Sequence, residues 1–251
     1  AVDAQELDGL QSSVSARVGS VTYGPYARFA AGGLISGLDD AYWLPPGAAD
    51  PQVNFDLDGD NTGFAGIALG YDWQNGFRGD IALLSSGDVG FSGPCSSASD
   101  GSSCTGTPHA DITDGSLSTT ALMANVFYSP LEQRGSNSVF QPFIVAGLGV
   151  ARNDVGSWTR TNAASPEPVR VFSSNQSSDL AWSLGFGAAW QITDAGEYPI
   201  ILEAAWRYYD FGTAQGGSVA DVGTGTPRQA LTFDNRNQVI SFGVRIPLER
   251  Y

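Results

Sequence analysis

The stretch GFAGIALGYDW-QNG-FRGDIALLSS, residues 63–86, alternates in both of its arms. Ala65, Ile67, Leu69, Tyr71 and Trp73 share one face of the first arm, and Phe77, Gly79, Ile81 and Leu83 one face of the second. The opposite faces carry small residues together with Asp72, Arg78 and Asp80. Successive side chains of a strand point to opposite faces, so a period of two means strands. Asn75-Gly76 between the arms predicts a hairpin with a type I′ turn, in which both central residues need positive φ. A soluble sandwich would bury the aliphatic face. A membrane barrel would turn it to lipid and keep the charges in its lumen.

The rest of the chain decides between these. YARFAAGG from Tyr26 to Gly33 reads as a strand before the hairpin. LSTTALMANVFY (117–128) sets Leu122, Ala124, Val126 and Tyr128 on one face. VFQPFIVAGLGVAR (139–152) opposes Ile144, Ala146, Leu148 and Val150 to Val145, Gly147 and Gly149. From Leu180 to Ile192 seven apolar residues keep strict step. ILEAAWRYYDFG (201–212) turns Glu203, Arg207 and Tyr209 one way and Leu202, Ala204, Trp206 and Tyr208 the other. QVISFGVRIPL (238–248) closes the series, with Ile240, Phe242, Val244, Ile246 and Leu248 opposite Arg245.

Between these strands, long aperiodic segments at 34–62, 86–115, 153–177 and 213–236 alternate with short links. One rim of tight turns and one rim of large loops is the asymmetry of outer-membrane barrels. Tyr71, Trp73 and Tyr128 fall at the short-turn ends, where an aromatic girdle belongs. Closing the sheet removes its edges, which lipid demands because unpaired backbone groups there are costly. The predicted fold is therefore all-β: an eight-stranded antiparallel transmembrane up-and-down barrel, one domain over 1–251, with four long extracellular loops. Residues 1–24 are read as a periplasmic lead-in, and Ala1 as following a removed signal peptide.

Composition excludes other classes. The net charge of −14, with all 12 basic residues arginine, gives no basic footprint for nucleic acid. Charged residues make up 15% of the chain, low for a soluble protein. No apolar run is long enough for a transmembrane helix. Cys95 and Cys104 lie in a Ser- and Gly-rich stretch without clustered histidine or further cysteine, which favours a disulfide over a metal site.

GYDWQNGFRGDIAL, SLSTTALMANVFY, FQPFIVAGLGVAR, LAWSLGFGAAW, AWRYYDFG and VISFGVRIPL, in this order and spacing, resemble the OmpA-like and opacity-type small porin family of Gram-negative outer membranes. The resemblance covers most strands and none of the loops. It implies an outer-membrane location and permits adhesion, envelope integrity or association with another membrane complex. Such proteins usually end on an aromatic residue in step with the last strand; here the chain ends on Tyr251 while the apolar series stops at Leu248.

Arg28, Arg78, Asp80, Glu203, Arg207 and Arg245 all fall on the face opposite the aliphatic one. An eight-stranded barrel is just wide enough for side chains to fill it, so these predict a salt-bridged polar core. DLDGDNTG, 56–63, places Asp56, Asp58 and Asp60 like the start of an EF-hand, but Asn61 replaces the glycine and Ile67 the closing glutamate. A true EF-hand is excluded; a weak Ca²⁺ site on the three aspartates stands beside a plain solvated turn, and no other cofactor is expected. The single histidine, His109, lies beside Pro108 and Asp111 with no nucleophile elbow, so no enzyme is expected. The expected partners are membrane lipid and another membrane or surface protein at the long loops. A narrow porin-type channel is the alternative, and a loop-borne hydrolase ranks after it.

Overall fold

The computed structural model describes residues 24–73, 75–106, 109–135, 138–165, 169–193 and 199–248. The lead-in read at 1–24 lies outside them apart from Gly24, and so does Tyr251. The strands are β1 (Gly24–Leu44), β2 (Val53–Phe55), β3 (Asp58–Gly59), β4 (Thr62–Asp72), β5 (Phe77–Ser86), β6 (Val89–Ala98), β7 (Asp111–Tyr128), β8 (Phe140–Val155), β9 (Trp158–Asn162), β10 (Arg170–Phe172), β11 (Asn175–Gln191), β12 (Ile201–Gln215), β13 (Ala220–Val222) and β14 (Gln229–Pro247). A four-residue helix, α1 (Pro130–Gln133), lies between β7 and β8.

Antiparallel pairing runs β1–β4–β5–β7–β8–β11–β12–β14 and returns to β1. The ring is closed, and it is an eight-stranded up-and-down barrel. Its outer face carries a continuous apolar belt. Leu69, Ile81, Val126, Leu148, Phe186 and Phe242 are each more than half exposed, although they are among the most apolar side chains present. No water-soluble fold turns a ring of such residues outward; a bilayer is the solvent that accepts them. At the short-turn rim Tyr71 packs on Trp73 at 6.1 Å and Phe77 on Tyr128 at 5.0 Å, giving the belt an aromatic hem.

The hairpin turn differs in detail from the type I′ reading. Trp73 N–H donates to the Phe77 carbonyl, which closes a loop of residues 74–76. Of the described turn residues only Gly76 has positive φ, +83°. Asn75 acts instead through its side chain, whose Oδ1 accepts the Phe77 N–H at 3.1 Å. The extra residue moves the left-handed position to the glycine, as in the three-residue hairpin.

The segments read as aperiodic loops are largely strand. β1 runs on to Leu44, β7 starts at Asp111 and β14 at Gln229, while β2, β3, β6, β9, β10 and β13 fill much of the rest. β2 pairs β1 and β6, β6 pairs β7, β7 pairs β9, β9 pairs β10 and β10 pairs β13. These form a β collar standing on the barrel. In it the alternation changes phase. Within the belt the apolar side chains point out and Arg28, Arg78 and Arg245 point in. In the collar Trp43, Phe55, Phe91, Leu231 and Phe233 point in, and most of the outward positions are polar or small. Register shifts at Asp39/Tyr42 in β1 and Asp210/Thr213 in β12 mark the transition, where bulges bend the strands.

Candidate functional site

Two places gather polar side chains: the lumen inside the belt and a cleft at the collar apex. The lumen is filled in tiers. Up β7 alone, Phe127, Asn125, Met123, Ala121, Thr119 and Leu117 point inward. All six charged residues predicted to share the lumen come together there. Arg28 Nε donates to Asp80 at 2.9 Å. Arg78 lies 2.9 Å from Glu203 across the barrel, and Arg245 reaches Glu203 at 3.0 Å. Arg207 donates to Asn125 and to Ser183 at 2.6 Å each, and Asn125 donates to Asp80 at 2.7 Å. The Arg78–Glu203 contact is an ion pair by distance, without the alignment of a hydrogen bond.

The sequence reading left Asp72, Asn125 and Ser183 out of this network. Asp72 pairs with Arg245 at 3.1 Å. Its position on the inward face of the hairpin was the signal for it; neutral Asn125 and Ser183 offer none in a single chain. Aromatic rings complete the packing: the Arg78 guanidinium lies 4.3 Å from the Phe127 centroid and 4.6 Å from that of Phe143. A cavity of about 20 Å³ between Arg28, Phe64, Glu203, Arg207 and Tyr209 has room for a single water. Above it, an uncharged tier links Asn235 to Thr119 and Asn153 at 2.9 Å, and Asn237 to Asn235 at 2.6 Å.

Among the described residues no group of three metal-competent side chains converges. Asp56, Asp58 and Asp60 are exposed, while Phe55 before them and Leu57 between the first two point into the collar. The structure therefore spreads the three aspartates along one outward edge. Cys95 and Cys104 are joined as a disulfide. At the base of the collar Arg236 is held by Asp234 at 2.6 Å and lies 3.5 Å from Asp39 and from Asp210.

The apical cleft measures about 280 Å³ and takes its walls from all four connections on this rim. Pro45, Pro46 and Asp50 come from the β1–β2 link, and His109 and Asp111 from the approach to β7. Arg160 and Arg170 come from β9 and β10, and Thr224 and Gly225 from the β13–β14 link. Arg228 pins two of these links together by donating to the Pro45 carbonyl at 3.1 Å and to the Asp50 carbonyl at 2.5 Å. Trp43 lines the cleft, and behind it Trp158 stacks on Phe172 at 4.2 Å, with Trp43 edge-on to both at about 6 Å. Asp111 Oδ1 lies 2.5 Å from Arg160 Nη2. Burial pushes the Asp111 carboxyl up from its ordinary range, against the pull of Arg160. His109 is buried beside this pair. No linear spacing could have shown the convergence, because its members lie far apart in sequence.

No protein-family model and no curated protein sequence matches the chain. Among solved structures it is similar to OprG from Pseudomonas aeruginosa, at 18% identity over 90% of this chain and 97% of that one, TM-score 0.48. It is also similar to Neisserial surface protein A, at 13% identity over 91% and 97%, TM-score 0.45. The attachment invasion locus protein Ail of Yersinia pestis matches at 11% identity over 89% and 99%, TM-score 0.38. The barrel architecture of this chain rests on its own closed ring of strands.

Proposed function

We propose that this chain is an outer-membrane protein of a Gram-negative bacterium in which the barrel is a plugged anchor and the collar is the interaction surface. The observation that carries this reading is the filled lumen. Charged residues from β1, β4, β5, β12 and β14 are paired across it, rings cover the guanidinium groups, and the void between them holds about one water. Opening such a lumen means breaking buried ion pairs, and losing one partner of a buried pair costs roughly 3–5 kcal/mol. The collar, by contrast, spends many residues of the chain on a folded structure outside the membrane. Its edges and acidic outer face are open to a membrane or surface partner.

Planar-bilayer recording on the purified full chain tests the plug. The expected trace is silent, apart from rare brief events, at potentials where a porin control conducts steadily. Long-lived open levels of reproducible size would overturn the reading in favour of a narrow channel.

A further inference from the structure

The apical cleft is built from four connections, and its polar groups are of mixed sign. Asp111 Oδ2 is buried without a hydrogen-bond partner, and so are Arg160 Nε and Trp43 Nε1. A buried polar group left unmade costs roughly 1–3 kcal/mol, so three on residues that line one cleft are an unmet demand for one donor and two acceptors. Arg170 adds a second guanidinium whose side chain makes no hydrogen bond or ion pair among the described residues.

The charges restrict what can answer this demand. Arg160 and Arg170 stand against Asp50 and Asp111, so the guanidinium groups and carboxylates of the cleft balance. The chain as a whole carries −14, which disfavours an anionic ligand at long range. A cation would leave the Arg160 and Trp43 donors unanswered. A neutral ligand whose neighbouring groups each donate and accept satisfies all three orphans, and vicinal ring hydroxyls do this. Pro45 and Pro46 offer an apolar wall to the C–H face of such a ring. At about 280 Å³ the cleft lies at the lower edge of the about 300–1,000 Å³ range of ligand pockets, enough for one or two rings.

We propose that the apical cleft binds a neutral pyranose, with Asp111 accepting from one ring hydroxyl and Arg160, Arg170 and Trp43 donating to its neighbours. This rests on the collar being a recognition surface. The sugar is either free in solution or the terminal residue of a glycan. The test is isothermal titration of the full chain in a zwitterionic, sugar-free detergent. Glucose, galactose, mannose and N-acetylglucosamine are titrated as reducing sugars and as methyl glycosides, with glycine and sodium sulfate for the zwitterionic and anionic classes. The expected result is saturable heat from at least one sugar, weakened roughly tenfold or more by Asp111→Asn or by Arg170→Gln. Binding of the methyl glycoside points to a glycan terminus, and binding of the reducing sugar alone to the free sugar. Arg170→Gln removes no hydrogen bond or ion pair of the described structure, so it serves if Asp111→Asn fails to fold. No saturable heat from any sugar, heats unchanged in both variants, or binding by glycine or sulfate alone overturns the proposal. Conductance of the same preparation keeps the two readings apart, since a silent barrel that ignores sugars removes only this one.

Discussion

Glu132 is the residue whose charge is least at ease. It sits on α1 at the short-turn rim, outside the spanning strands, buried and with Oε1 lacking a hydrogen-bond partner. Burial, and then the nearby Asp72 carboxylate, push its carboxyl up to about 7, against the attraction of Arg245 and Arg78. A carboxyl raised in the folded state binds its proton more tightly there than in the unfolded chain. Its contribution to stability is therefore fully present below the unfolded value of 4.5 and is lost as pH rises through about 7. Urea midpoints of the wild type relative to Glu132→Gln should thus fall between these two pH values, with the variant the more stable above the window. A difference independent of pH would show that Glu132 titrates normally. Neither this nor the apical cleft is legible along the chain, because α1 meets Asp72 and Arg245 only once the ring closes. Arg78 and Asp80 are legible, because parity with Ile81 and Leu83 alone sends them inward.

At the scale of elements, β6 depends on a covalent clamp. Cys95 stands in β6 opposite Phe55 of β2, and its disulfide with Cys104 closes a loop of sequence separation 9. A loop this short constrains the unfolded chain by about 2–3 kcal/mol in the chain-entropy model. The stabilisation belongs to the β6–β7 corner of the collar, since the ring strands pair without it. Replacing both cysteines by alanine should speed protease nicking between residues 99 and 106 while the heat-modified gel shift of the barrel stays put. A parallel fall of both would mean that collar and barrel unfold as one. The same corner shows why the collar escapes a reading by apolar runs. Val89, Phe91 and Cys95 point inward in step, but Gly90, Ser92 and Pro94 between them resemble loop composition. A water-facing strand carries half the apolar signal of its lipid-facing neighbour, and β2, β3, β10 and β13 are too short for a period to emerge.

Across the whole molecule, the change of phase between belt and collar draws the membrane surface onto the chain. β11 shows it on a single strand. Its outward side chains run Trp190, Ala188, Phe186, Leu184, Trp182 and Leu180, then turn polar at Ser178 and Gln176. Phe186 lies mid-belt and 59% exposed, while Gln176 faces the same way beside Asp154 of β8. If the belt meets hydrocarbon, an arginine at Phe186 must hold its charge near the bilayer midplane, at a cost of roughly 2–4 kcal/mol. The same arginine at Gln176 stands in water next to a carboxylate, where surface substitutions stay within about 0.5 kcal/mol. Reversible urea unfolding of Phe186→Arg and Gln176→Arg from lipid vesicles should therefore separate the two variants by at least about 1.5 kcal/mol. Equal stabilities would place both positions in the same solvent. The phase change would then be a property of packing, and the membrane boundary would have to be sought elsewhere on the barrel.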